Sequence, residues 1–150
     1  MTRRQIIPEQ WLILDRRPTD CVWGTVRRLP RGSGILVTIR LSPVECRRLR
    51  NLANLRDFET AIGGRSAARV HDMRELRRAL LVRSSLILLS PLYPTQSHPD
   101  WMPLPRMRAA TYARLTKRTA IALGGMNVQR YAKIAPLGFI GWAGISAFRT

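Results

Sequence analysis

Lysine is almost missing from this chain of 150 residues: only Lys117 and Lys133 occur, so arginine makes up 24 of the 26 basic residues. Acidic residues are few as well, nine in all, which leaves a formal net charge of +17. A concentrated basic tail of the kind that grips nucleic acid is absent. The arginines come instead as scattered pairs, Arg27-Arg28, Arg47-Arg48 and Arg77-Arg78, on the polar sides of helical patterns. No zinc-finger, helix-turn-helix or aromatic RNA-binding signature goes with them. The charge therefore reads first as solvated helix faces, and nucleic acid is not the expected partner. Attraction to small phosphorylated molecules follows from the same positive excess.

Cysteine is scarce too. Cys21 and Cys46 both sit in helical patterns without metal-ligand spacing, which predicts reduced, mostly packed thiols and no metal site of their own. Long apolar runs are lacking: the longest weakly polar stretch, Ile134 to Phe148, is broken by three glycines. It falls short of the ~20 apolar residues that cross a bilayer, so no membrane span is expected. Met1 to Gln5 leads into Pro8 and Asp15 with no apolar core of signal-peptide length, which reads as cytoplasmic. What remains is room for one domain, residues 1–150, with 45% hydrophobic residues to build its core.

Those apolar residues fall into seven runs of strand length: Trp11 to Leu14, Ile35 to Ile39, Phe58 to Ile62, Ala67 to Val70, Leu86 to Leu89, Thr119 to Leu123 and Phe139 to Ile145. They are continuous rather than alternating, which suits parallel strands buried on both faces. Amphipathic segments lie between them. Ser42-Pro43-Val44-Glu45 is a capping box with proline at the first helical position, followed by an inner stripe of Leu49, Leu52 and Ala53. Asp72 to Glu75 repeats the device before Leu76, Ala79 and Leu80, and Asn127 is placed to cap a helix that turns Tyr131, Ala132 and Ile134 inward. Strand then helix, repeated, gives an α/β fold with right-handed crossovers. From Phe58 to Ala67, however, there is no room for the ~10–12 residues of a parallel crossover. One βα unit is missing, and Ile62-Gly63-Gly64-Arg65 offers a tight turn in its place. Three closures stay open: an incomplete barrel, one closed by seven strands, or one completed by a second chain as a homodimer.

In such a sheet or barrel, ligands bind where strands end and helices begin. Gly124-Gly125 ends a buried strand directly before a capped helix, where glycines let N–H groups approach an anion and the helix start favours negative charge. The same residues also suit a plain βα turn. Gly144-Ile145-Ser146-Ala147 ends the next strand and adds backbone and hydroxyl donors. Ser90 to Pro99 is a loop pre-ordered by three prolines, with Thr95, Ser97 and His98 as its polar groups. His71 ends a buried run just before a helix cap, a place for either a proton-trading imidazole or a packed core histidine. Arg40, at the end of the second strand, presents a guanidinium suited to a phosphate or carboxylate, or to solvent.

Taken in order, these segments resemble the thiamine phosphate synthase and TenI (thiazole tautomerase) family, most closely from Arg69 to Phe148. Arg69-Val70-His71-Asp72 resembles the family's Ser-Val-His-Ser/Thr motif. Ser90-Pro91-Leu92-Tyr93-Pro94-Thr95-Gln96-Ser97-His98 resembles its Gly-Pro-Val-Phe-Pro-Thr-x-Ser/Thr-Lys. Thr119 to Met126 resembles its Pro-Val-Ile-Ala-Ile-Gly-Gly-Met/Ile. The resemblance implies a TIM-type (β/α) barrel, here shortened to about seven strands. It implies that Gly124, Gly125, Ile145 and Ser146 hold the phosphate of a thiazole phosphate, bordered by Thr95 and Ser97. It puts His71 at the position of the tautomerase acid/base, His98 where a lysine steadies the leaving group, and Arg40 at a second-strand arginine.

The synthase joins a pyrimidine pyrophosphate to the thiazole phosphate and, by resemblance, uses Mg2+. The third-strand Asn-Asp pair of the family is not found in Ala61-Ile62-Gly63-Gly64, and the missing βα unit is the one that brings a magnesium-binding aspartate. No metal ligand can be assigned. The expected function is accordingly synthase-like thiamine biosynthesis. A thiazole tautomerase using His71, a catalytically silent binder of a phosphate ligand, and a nucleic-acid binder on charge alone are the alternatives.

Overall fold

The computed structural model describes residues 7–62 and 67–148, with Ile62 described by its backbone. All seven expected strands are present: β1 Gln10–Leu14, β2 Gly34–Val37, β3 Glu59–Ile62, β4 Ala67–Val70, β5 Leu86–Leu89, β6 Ala120–Leu123 and β7 Gly141–Gly144. Among the described residues five α-helices accompany them: α1 Asp20–Arg28, α2 Pro43–Arg56, α3 Met73–Leu81, α4 Arg106–Leu115 and α5 Val128–Ile134. The strands form one sheet in the order β3-β2-β1-β7-β6-β5-β4, and every pairing is parallel. The sheet curls into an open barrel, the shortened α/β form that the missing helix implies.

The seam lies between β3 and β4, consecutive in the chain yet at opposite edges of the sheet. A hairpin turn between them is therefore corrected: β3 pairs with β2 and β4 with β5, and among the described residues the two do not pair with each other. Of the residues on which that turn was placed, Ile62 to Arg65, positions 63–65 lie outside the described residues. Inside the curl, Trp11, Ile13, Leu36, Ala61, Leu88 and Ile121 form one apolar cluster. It draws on strands from both sides of the seam. Two further clusters fill the space between the sheet's outer face and the helices, one under α1 and α2 and one under α3, α4 and α5. A side chain such as Leu76 or Leu89, fully enclosed there, contributes about 1.5–3 kcal/mol by leaving water.

The helix starts are built as the sequence indicates. Ser42 Oγ accepts from the Glu45 N–H at 3.2 Å while the Ser42 N–H donates to Glu45 Oε2 at 2.7 Å. Asp72 Oδ1 accepts from the Glu75 N–H and Asn127 Oδ1 from the Arg130 N–H, each at 2.8 Å. Three side chains depart from expectation: Leu80, Ala132 and Cys21 are exposed. The helical stripe is narrower than the spacing implied, because only the sheet side of each helix is covered. Among the described residues no helix is long and apolar enough to cross a membrane.

Candidate functional site

A cleft of about 830 Å³ opens at the C-terminal ends of the strands. That volume is of the size that encloses a small ligand. Its wall collects residues from six strand ends or the loops after them: Asp15, Thr38, Arg69, Ser90, Gly124 and Ser146 are among them. The glycine loop after β6 and the serine loop after β7 meet there, side by side, because β6 and β7 are paired neighbours.

The glycine loop has little freedom to be anything else. Gly124 and Gly125 have φ of +97° and +60°, and a Cβ on Gly124 would lie 2.8 Å from Pro91 Cα. One on Gly125 would lie 2.5 Å from the Pro94 carbonyl oxygen. The loop after β5 thus packs directly on the glycines, held by Leu92 N–H donating to the Leu123 carbonyl at 2.9 Å and Tyr93 N–H to Gly124 at 3.1 Å. That contact brings Thr95, Ser97 and His98 to the same wall. The Arg130 guanidinium donates to the Gly125 carbonyl and lies 4.8 Å over the Tyr93 ring, so it stands fixed at this end of the cleft. Because α5 has only 7 residues, these loops and Arg130 rather than a long helix dipole supply the positive character.

Thr95, Ser97, His98, Gly124, Gly125, Ile145 and Ser146 are brought together as cleft-lining residues. His71 and Arg40 are not among them. β2 stops at Val37, so Arg40 lies beyond it in the loop, exposed, and Thr38 takes the place at the wall. His71 is set behind the wall: its Nδ1 is 2.9 Å from Glu75 Oε2, and the same oxygen accepts from the His71 N–H at 2.6 Å. Its Nε2 is buried without a hydrogen-bond partner. Trp101 stands between, meeting His71 edge-on at 4.9 Å and stacking on His98 at 4.3 Å.

Three lining residues escape sequence reasoning. Trp101 follows a proline-rich loop and carries no local signal. Arg130 stands two residues into the helix after the glycines, on a face that only the fold turns to the cleft. Arg69 has a legible signal, an arginine inside an otherwise apolar strand run, but abundance of arginine elsewhere hides it.

A magnesium ion finds a poor donor set here. Asp15 supplies the one carboxylate among the lining residues, and it already faces the Arg16 guanidinium at 3.5 Å. Among the described residues no three potential ligands group together. A metal held by one or two carboxylates and substrate phosphates would depend on this occupied side chain alone.

The structure is similar to thiamine phosphate pyrophosphorylase from Pyrococcus furiosus, with a TM-score of 0.73 and 18% identity over 95% of this chain and 87% of that one. It is also similar to thiamine phosphate pyrophosphorylase from Bacteroides thetaiotaomicron, with a TM-score of 0.57 and 13% identity over 93% and 83% of the two chains. At these identities the likeness is one of fold. No curated protein sequence matches the chain. The family model described as thiamine monophosphate synthase matches residues 52–148, a span that carries the glycine loop, the serine loop and the proline-rich loop between them and His71. This chain belongs to the thiamine monophosphate synthase family.

Proposed function

We propose that the protein acts in thiamine biosynthesis by binding a thiazole phosphate in the cleft and joining it to a pyrimidine carried as a pyrophosphate. The phosphate of the thiazole sits at Gly124, Gly125, Ile145 and Ser146, with Thr95 and Ser97 at its border. In the condensation the bond between the pyrimidine methylene and the pyrophosphate oxygen breaks, the electron pair leaves with pyrophosphate, and the thiazole nitrogen lone pair forms the new C–N bond. The observation that carries this reading is the meeting of the glycine and serine loops in one concave site at the strand C-termini, where barrel folds bind phosphate. Incubation of the protein with both substrates, with and without magnesium, should release pyrophosphate and form thiamine phosphate. Binding of thiazole phosphate with no turnover under either condition would reduce the role to that of a binder.

A second reading, thiazole tautomerase, is favoured by one feature: the hydrogen bond between His71 Nδ1 and the accepting Glu75 carboxylate holds the ring of His71 and leaves Nε2 without a partner. For that imidazole to reach a ligand, Trp101 has to swing away from it. Tautomer conversion that is lost in His71→Ala and retained in Arg130→Ala would favour this reading over the condensation.

A further inference from the structure

We propose that Arg69 forms a second, metal-free anion subsite in the cleft, one that holds a diphosphate beside the phosphomonoester subsite of Gly124, Gly125 and Ser146. The inference rests on the reading above for that first subsite. Arg69 is the only arginine within any of the seven strands. Side chains alternate across a strand, and in β4 Ala68 and Val70 pack outward among the helices while Ala67 and Arg69 line the cleft. The guanidinium is thus committed to the concave side by the register of its strand, unlike the arginines spread over the helices.

Among the described residues no carboxylate pairs with it. The ion pairs among the described residues are Arg16 with Asp15, Arg17 with Glu45 and His71 with Glu75, and none involves Arg69. The residues outside the described range, 1–6, 63–66 and 149–150, include no aspartate or glutamate. Among its described lining residues the cleft carries two guanidinium groups, Arg69 and Arg130, against the single and already paired carboxylate of Asp15. A ligand rich in negative charge restores the balance, and a guanidinium fork meets phosphate oxygens two at a time.

The strand order separates the two subsites. β4 is two strands from β6, which at the ordinary strand spacing is about 10 Å along the sheet. Arg130 serves the glycine loop and Arg69 the far side. A serine occupies the matching place in the motif that Arg69-Val70-His71 resembles, and the acidic residues that would hold a metal are missing from the same chain. A covalently tethered guanidinium supplies at that place the positive charge that a departing diphosphate requires, with no ion to recruit.

Calorimetric titration with inorganic pyrophosphate in EDTA tests this directly, on wild type, Arg69→Ser, Arg69→Lys and Asp15→Asn, with inorganic phosphate as the companion probe. Wild type should bind pyrophosphate without metal. Arg69→Ser should weaken it at least about tenfold and Arg69→Lys less, the loss of a charge-assisted bidentate contact. Phosphate binding should change by less than about twofold, since the subsites are separate. Asp15→Asn should not weaken pyrophosphate binding. Arg69 is exposed, so the variants should keep the wild-type unfolding midpoint.

Pyrophosphate that binds only after magnesium is added, or that is lost in Asp15→Asn, overturns the inference. So does equal affinity in wild type and Arg69→Ser while phosphate still binds, an outcome that leaves the first subsite standing. Failure of wild type to bind phosphate at all overturns both.

Discussion

Gly34 faces Trp11 across the β1–β2 pairing, and a Cβ built on it would lie 2.1 Å from the indole ring. Trp11 cannot yield easily, because it is 2% exposed and its Nε1 donates to the Pro8 carbonyl at 2.8 Å. Overpacking of this kind costs about 1–3 kcal/mol. Gly34→Ala should lower stability by that amount in denaturant melts, whereas an unchanged midpoint would show that the barrel interior has slack. The constraint was invisible in the sequence, since it comes from a residue on another strand and depends on register. The place of Gly124-Gly125 in a βα turn on the cleft was legible because two adjacent glycines stand between an apolar run and an asparagine cap. Arg130 was not, and the signal of Arg69, an arginine inside an apolar run, was hidden, because 24 arginines in one chain differ chiefly in the side each faces.

Among the elements, α2 shows how local chemistry fixes a boundary. Its capping box is complete, and the Ser42 backbone N–H, followed by the Ser42 hydroxyl, holds the Glu45 carboxyl below the usual glutamate range. A carboxyl whose pKa falls on folding adds stability above its unfolded value of about 4.3 and loses it as pH drops through the folded value. Ser42→Ala should cost about 1 kcal/mol near neutrality. Glu45→Gln should flatten the fall of the thermal midpoint between about pH 5 and pH 3, and an acid limb identical to wild type would contradict this. Caps and turns act over three or four residues, which is why α2, α3 and α5 start where the sequence says. How wide a helix's buried stripe becomes depends on what covers it. Leu80, Ala132 and Cys21 were misjudged for that reason.

At the scale of the whole molecule, the count of seven strands and the missing crossover could be read from the spacing of apolar runs. The position of the seam could not: a four-residue gap looks locally like a hairpin, while the parallel pairing of β3 with β2 and β4 with β5 sends those strands to opposite edges. Curling the sheet still brings six of its C-terminal strand ends to one cleft, and there the glycine loop and the serine loop stand together. Titration of thiazole phosphate into wild type, Gly125→Ala and Ser146→Ala, followed by calorimetry, tests that convergence most directly. Wild type should bind one equivalent, and each substitution should weaken binding by about tenfold or more, Ser146→Ala by removing a hydroxyl donor to the phosphate and Gly125→Ala by driving a Cβ against the Pro94 carbonyl and displacing the loop amides. Equal affinity in all three proteins would mean that the ligand sits elsewhere and that the two loops are no more than turns.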